Sequence, residues 1–144
     1  MEQDKFNLQR FVDAQNSYNQ YQNAVSELLA GRKSTHWIWY IFPQMKGLGH
    51  SYNSQFYGIS GIEEAKAYLE HPELGNALRR VTEILIQWAR NGKSMYNLLG
   101  GIYAQKAKSC LTLFDLASPK DIFGQAIDEC YGGLRDQRTL TLCK

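Results

Sequence analysis

Six consecutive residues, Trp37, Ile38, Trp39, Tyr40, Ile41 and Phe42, are apolar or aromatic with no charged side chain among them. A segment that is apolar on all sides is stable where it is covered on all sides, so the chain must build a core around this run. The 144 residues are enough for one such core and not comfortably for two, and a single domain over residues 1–144 is expected. An apolar share of 44%, with 9 Tyr, 6 Phe and 3 Trp, supplies bulk for burial, while 21% charged residues leave solvated faces. That balance belongs to a globular chain and not to a disordered one.

By propensity alone the 37–42 run suits a strand as well as a helix. A short helix is predicted, capped by Ser34 or Thr35, because no other segment offers convincing β partners and a lone strand leaves its backbone groups unpaired. The remaining pattern is helical. Phe6, Leu8, Phe11 and Val12, then Tyr18, Tyr21, Val25, Leu28 and Leu29, repeat at helical spacing and predict two helices or one broken helix, closed at Gly31. Residues 62–70 form the next helix, broken at His71-Pro72. Leu74, Leu78, Val81, Leu85 and Trp88 mark the buried stripe of another helix that Asn91-Gly92 ends. One or two turns over 94–99, a helix over 104–116, one from Asp121 to Tyr131 closed by Gly132-Gly133, and a last one over 136–142 complete the reading. The expected fold class is all-α, a compact domain of about six to eight helices, several of them short.

Residues 43–54 are the exception. Pro43, Gly47 and Gly49 exclude regular structure for about a dozen residues, and loops of that length in compact domains are often functional. Next to the aromatic run, this loop is the first place to look for a site. Trp37 or Trp39 supplies an apolar wall that can stack a planar ring, Gly47 and Gly49 expose backbone N–H groups, Gln44 and Ser51 hydrogen-bond, and Lys46 meets an anion. His36 and His50 are the candidates for proton transfer should a reaction take place. Against this stands the plainer reading that both tryptophans are core and the glycines serve turns. His36 reads more readily as a packed, hydrogen-bonded residue, which leaves His50 the better candidate, and His71 reads as a surface turn residue. On the helix over 104–116, Lys106 and Ser109 are further candidate ligand residues, and Lys108 and Thr112 share a face four residues apart. A solvated face with hydroxyls bonding their own helix explains the latter pair as well. Arg135, Asp136 and Arg138 belong either to a surface pair or to the same cleft.

Several function classes are excluded. A net charge of +2 with basic residues scattered along the chain leaves little long-range field for nucleic acid, which ranks third as a main partner. Cys110, Cys130 and Cys143 are odd in number and lack CxxC spacing, so they read as free thiols of a cytoplasmic protein. Residues 1–10 lack the apolar stretch of a signal peptide, and the longest apolar run is far below the roughly 20 residues that cross a bilayer. No metal site and no cofactor are expected: there is no HxxxH or HxxE, and Gly47-Leu48-Gly49 lacks the context of a phosphate loop. No GxSxG or Cys-His signature supports a nucleophilic hydrolase.

Taken in order, Asn7-Leu8-Gln9-Arg10-Phe11-Val12, Gly31-Arg32-Lys33, His36-Trp37-Ile38-Trp39-Tyr40-Ile41-Phe42-Pro43-Gln44 and Gly47-Leu48-Gly49 resemble the bacterial domain-of-unknown-function 1810 family. Glu64-Ala65, Ala67-Tyr68-Leu69, His71-Pro72, Lys106, Ser109, Thr112-Leu113-Phe114, Asp136 and Thr139-Leu140 continue the likeness over nearly the whole chain. The resemblance implies a compact, mainly α-helical domain and names no biochemical role. In one respect the chain departs from it. The family usually carries an acidic residue in the turn before the lysine, where this sequence has Tyr103-Ala104-Gln105.

The functional expectation is a cytoplasmic domain that binds a small polar or anionic ligand, nucleotide-like molecules among the candidates, in a cleft between the 43–54 loop and the helix carrying residues 106–112. Its rival is a helical protein-interaction module without a small-molecule ligand, whose exposed aromatic residues carry a partner or dimer surface. Neither involves nucleic acid or membrane, and the chain is read as a monomer or homodimer.

Overall fold

Helix boundaries in the computed structural model, which describes residues 4–144, follow local backbone chemistry. The first apolar pattern divides into α1 (Gln9–Asn16) and α2 (Gln20–Leu29), because Tyr18 and Asn19 take left-handed φ angles of 51° and 57° in the 3-10 turn between them. Helix α2 ends where expected. Gly31 has φ 87°, and Arg32 N–H returns to the Glu27 carbonyl at 3.1 Å, closing the helix in the left-handed way glycine permits. The Trp88 ring packs against Gly31, and its Nε1 donates to the Leu28 carbonyl at 2.7 Å.

The aromatic run does form a helix, α3 (Ile38–Ile41), but neither predicted residue caps it. Trp37 occupies the N-cap position, while the Ser34 and Thr35 N–H groups both donate to Glu27 Oε1, at 2.6 and 2.9 Å. Only part of the run is covered on all sides. Trp37, Ile38, Ile41 and Phe42 are buried, whereas Trp39 and Tyr40 remain half-buried. This partial cover opens one face of the segment to the exterior.

The loop that follows is shorter than predicted. Ser51 Oγ accepts from Ser54 N–H at 3.1 Å and starts α4 (Tyr52–Phe56), so regular structure returns inside the 43–54 stretch. Beyond it lie α5 (Ile62–Glu70) and α6 (Leu74–Arg90). His71 Nδ1 accepts from Glu73 and Leu74 N–H at 3.1 and 3.3 Å, so this half-buried turn residue does for α6 what a Ser or Asp does at other starts. Next come α7 (Met95–Leu99), capped by Ser94, and α8 (Gly101–Ala117), which begins three residues earlier than the pattern suggested. Asp121 caps α9 (Ile122–Tyr131), and Asp136 caps α10 (Gln137–Leu142).

The described residues therefore form an all-α fold of ten helices, with no strand beyond one isolated parallel bridge between Met45 and Ile59. This exceeds the expected six to eight through α4, which was not foreseen, and α7, foreseen only as one or two turns; each is fixed by a local Ser cap. Helix α6 packs on α5 and α9, and α8 lies against α5, α7, α9 and α10. Their shared core is threaded by aromatic contacts from Phe11 to Tyr68, Phe114 and Phe123, with ring centroids 5.1–5.8 Å apart. Cys110 lies inside this core, and all three cysteines are free thiols.

Candidate functional site

The exposed side of the aromatic segment opens into a cleft of about 540 Å³ between the chain around residues 44–58, the first turns of α8 and the start of α10. The 44–58 side is held by backbone pairing. Ile59 N–H donates to the Gln44 carbonyl and Lys46 N–H to the Ile59 carbonyl, both at 2.8 Å. Gly58 makes this approach possible, since a Cβ there would stand 2.7 Å from Lys46 Cα. From behind, Arg10 Nε donates to the Phe56 carbonyl at 2.8 Å, and its Nη2 donates to Gly58 O at 3.0 Å and to Glu64 Oε2 at 2.7 Å. Glu64 in turn accepts from the N–H and hydroxyl of Ser60. A single arginine from α1 thus anchors the carbonyls of the cleft's outer wall.

Gly101, Ile102, Gln105, Lys106 and Ser109 form the opposite wall along α8, and Asp136 and Arg138 close one end. Asp136 is already engaged: its carboxylate accepts from Gln105 Nε2 at 2.9 Å and from the N–H and Oγ1 of Thr139 at 3.0 and 2.5 Å. Its own N–H donates to Thr112 Oγ1 at 3.0 Å. Thr112, bonded also to the Lys108 carbonyl, is buried structure and not a ligand contact. Arg138 Nη2 donates to the Leu48 carbonyl at 3.2 Å and ties the loop to α10.

Among the described residues, Lys106 and Arg138 take part in no ion pair, so two lining cations face one carboxylate whose acceptors are filled from within. Burial lowers the Lys106 ammonium below the usual lysine range, and its Nζ lies 5.5 Å from the Trp39 ring centroid. The Trp39 indole N–H is buried with no acceptor among the described residues. Leaving such a donor unpaired costs about 1–3 kcal/mol. The site therefore combines an aromatic wall, amide and hydroxyl groups and excess positive charge.

The fold brings together Trp39, Gln44, Gly49, Lys106 and Ser109 of the nine expected ligand residues, and sets the other four, with both proton-transfer candidates, outside the cleft. Trp37 is fully buried, with its Nε1 donating to Glu27 Oε1 at 3.1 Å, so it cannot form a wall for a ligand. Lys46 is solvent-exposed, because the pairing with Ile59 turns Met45 inward in its place. Gly47 sits against Leu142. Ser51 is used as the α4 cap, bonded to Ser54. His50 is exposed, with its carbonyl accepting from Gln55, and His36 pairs with Tyr103 through Nδ1 at 3.0 Å. Sequence reasoning nominated none of Tyr57, Gly58, Gly101, Ile102 and Gln105 as a site residue, and singled out Gln105 only where the chain departs from the family pattern. Of these, Gln105 had a readable signal, its place one residue before Lys106. That segment belongs to the first turns of α8, and Gln105 spends its amide on Asp136. Arg135 forms a pair with Asp115 at 2.9 Å, while its neighbours Asp136 and Arg138 join the cleft.

No group of three or more His, Cys, Asp or Glu side chains suited to a metal ion occurs among the described residues, and no helix there is long and apolar enough to cross a membrane. Fold and site define an all-α protein with one amphipathic cleft beside a half-covered aromatic helix. The chain belongs to the family described as a protein of unknown function (DUF1810), whose profile matches residues 5–143. It is similar to the crystal structure of the conserved hypothetical protein Rv1873 from Mycobacterium tuberculosis, with 42% identity, a TM-score of 0.91, and coverage of 97% of this chain and 98% of the other. No curated protein matches it.

Proposed function

We propose that the cleft binds a small polar or anionic ligand with a planar or apolar part, of which nucleotide-like molecules are the leading class. The observation that carries this reading is the pairing, in one concavity of about 540 Å³, of the Trp39 wall with Lys106 and Arg138, which have no carboxylate partner among the described residues. That volume is typical of small-molecule sites, which are largely apolar with a few placed polar groups. Trp39 stacks the planar part, Gln44 and Ser109 offer hydrogen bonds, and Lys106 meets negative charge. The proposal is one of binding. All three histidines lie outside the lining, so a proton-transfer role for His36 or His50 draws no support from the geometry.

A protein-interaction surface is the competing reading. Its best support is the stacked Tyr52–Phe56 pair on α4, 5.6 Å between centroids, with Tyr52 76% and Phe56 40% exposed. Thermal melts against nucleotides, ADP-ribose-type compounds and small anions separate the two. A ligand at about 100 times its dissociation constant stabilises the fold by roughly 2.7 kcal/mol. The cleft reading expects such a shift, lost in Gln44→Ala and retained in Lys46→Ala. No shift across the panel moves the assignment to the interaction surface.

A further inference from the structure

Just beyond the cleft, two lysines from distant parts of the sequence converge on one ring. Lys33 Nζ lies 3.8 Å and Lys106 Nζ 5.9 Å from the centroid of Tyr103, whose hydroxyl pairs with His36 Nδ1 at 3.0 Å. Lys33 is held at this position by its backbone N–H on the Leu98 carbonyl at 2.8 Å, directly after α2 ends, and by one Nζ–H donated to the Thr35 carbonyl, which leaves its other donors free. Lys106 looks both ways, toward Tyr103 and toward the Trp39 wall. Of the residues at this cationic corner, Lys106 also lines the cleft, while Lys33, Tyr103 and His36 stand beside it.

The nearest acid does not neutralise that corner by contact. Glu27 accepts from Ser34 N–H, Thr35 N–H, Trp37 Nε1 and Thr35 Oγ1, so its oxygens are filled by neutral donors, and neither lysine forms an ion pair among the described residues. Burial lowers the Lys33 ammonium, Glu27 raises it, and Lys106 lowers it again, so the two like charges act on each other. Holding two partly desolvated ammonium groups together has an electrostatic cost that an anion between them removes.

We infer that Lys33 and Lys106, with the Tyr103 hydroxyl and His36 at their edge, form a phosphoryl-binding subsite for a soluble ligand whose planar part lies against Trp39. The inference rests on the proposed cleft reading and extends it, naming a phosphomonoester or comparable dianion as the ligand's charged group. Lys106 bridges the two parts. Arg138, at the α10 end with the Leu48 carbonyl, is left to the other end of the ligand.

Inorganic phosphate is the direct probe, because it needs no ligand body. With the lysines of the whole chain carrying 13C-methyl labels that keep their charge, phosphate titration is expected to shift the Lys33 and Lys106 resonances together along one saturable curve, leaving Lys46 unmoved. Lys33→Gln and Lys106→Gln each weaken that curve at least tenfold, while Lys33→Arg and Lys106→Arg, which keep the charge, stay within a fewfold of wild type. Gln44→Ala leaves the phosphate curve unchanged while removing the nucleotide response, which separates this subsite from the cleft itself. The inference is overturned if phosphate moves neither resonance saturably, or if Lys106 responds alone and continues to do so in Lys33→Gln. It is overturned equally if a nucleotide binds in a Gln44-dependent way and Lys33→Gln leaves its affinity as in wild type, in which case the cleft reading survives without it.

Discussion

Trp37, at the N-cap of α3, and Trp39, within that helix, are two residues apart and have opposite fates. Trp37 is fully buried, and its indole N–H is held by Glu27. Trp39 is half-buried, lines the cleft and has an indole N–H with no acceptor among the described residues. The difference follows from what each faces: Trp37 meets a carboxylate fixed by the turn after α2, whereas Trp39 meets Lys106, a cation that cannot accept a hydrogen bond. A helix packed for stability alone pairs both donors. The unequal treatment separates a face spent on the core from a face left open, and the proposed ligand site uses the second.

The strongest way to break the comparison is to truncate both rings. Trp37→Ala is expected to lose about 3–5 kcal/mol, as buried aromatic truncations do. Denaturant midpoints check this, and an equal loss in Trp39→Ala removes the distinction. Next in size is Arg10→Met, which strands the buried Glu64 carboxylate and releases the Phe56 and Gly58 carbonyls behind the cleft. It should cost about 3 kcal/mol by the same measurement. In ligand titrations it should also weaken binding, since it loosens a cleft wall that Trp37 does not touch.

A smaller effect comes from the carboxylate behind Trp37. Burial would raise the Glu27 carboxyl, but hydrogen bonds from Thr35 Oγ1, Ser34 N–H, Thr35 N–H and Trp37 Nε1 outweigh it and hold the group at about 2, against an ordinary 4.5. A group depressed on folding contributes its full stability above the unfolded value and loses it as pH falls through the folded one. Wild type should therefore lose this contribution between pH 4.5 and about 2. Glu27→Gln should cost about 1 kcal/mol at neutral pH, a figure kept low by solvent screening. Comparing the two proteins' unfolding midpoints over that window isolates the group, and an unchanged difference across it contradicts the assignment. Smallest of all is Trp39→Phe, which removes an unpaired donor and is expected to change stability by less than about 1 kcal/mol in either direction.

Much of this architecture was readable locally. Ile62–Glu70 emerges with the predicted ends, and the stops at Gly31, Asn91-Gly92 and Gly132-Gly133 hold, because each depends on a residue whose backbone preference acts within one turn. Helix α4 was hidden because Ser51 caps it from within a stretch whose proline and glycines dominate the pattern. The start of α8 was misplaced because Gly101 reads as a breaker, although the first turn of a helix tolerates it. The site was legible only in outline. Proximity in sequence nominated Lys46, Gly47, Ser51 and His50, but the bridge between Met45 and Ile59 sets which loop residue turns inward, and that pairing spans the whole of α4. Lys33 and Lys106 meet through tertiary contact alone, so no pattern along the chain joins them.

Calorimetric titration of wild type, Trp39→Ala, Gln44→Ala and Lys46→Ala with the nucleotide that gives the largest melting shift tests the central claim most directly. The account predicts saturable binding in wild type, weakened at least tenfold in Trp39→Ala and Gln44→Ala and unchanged in Lys46→Ala. Affinity that is insensitive to Trp39 and Gln44, or no binding heat from any nucleotide of the panel, would contradict it.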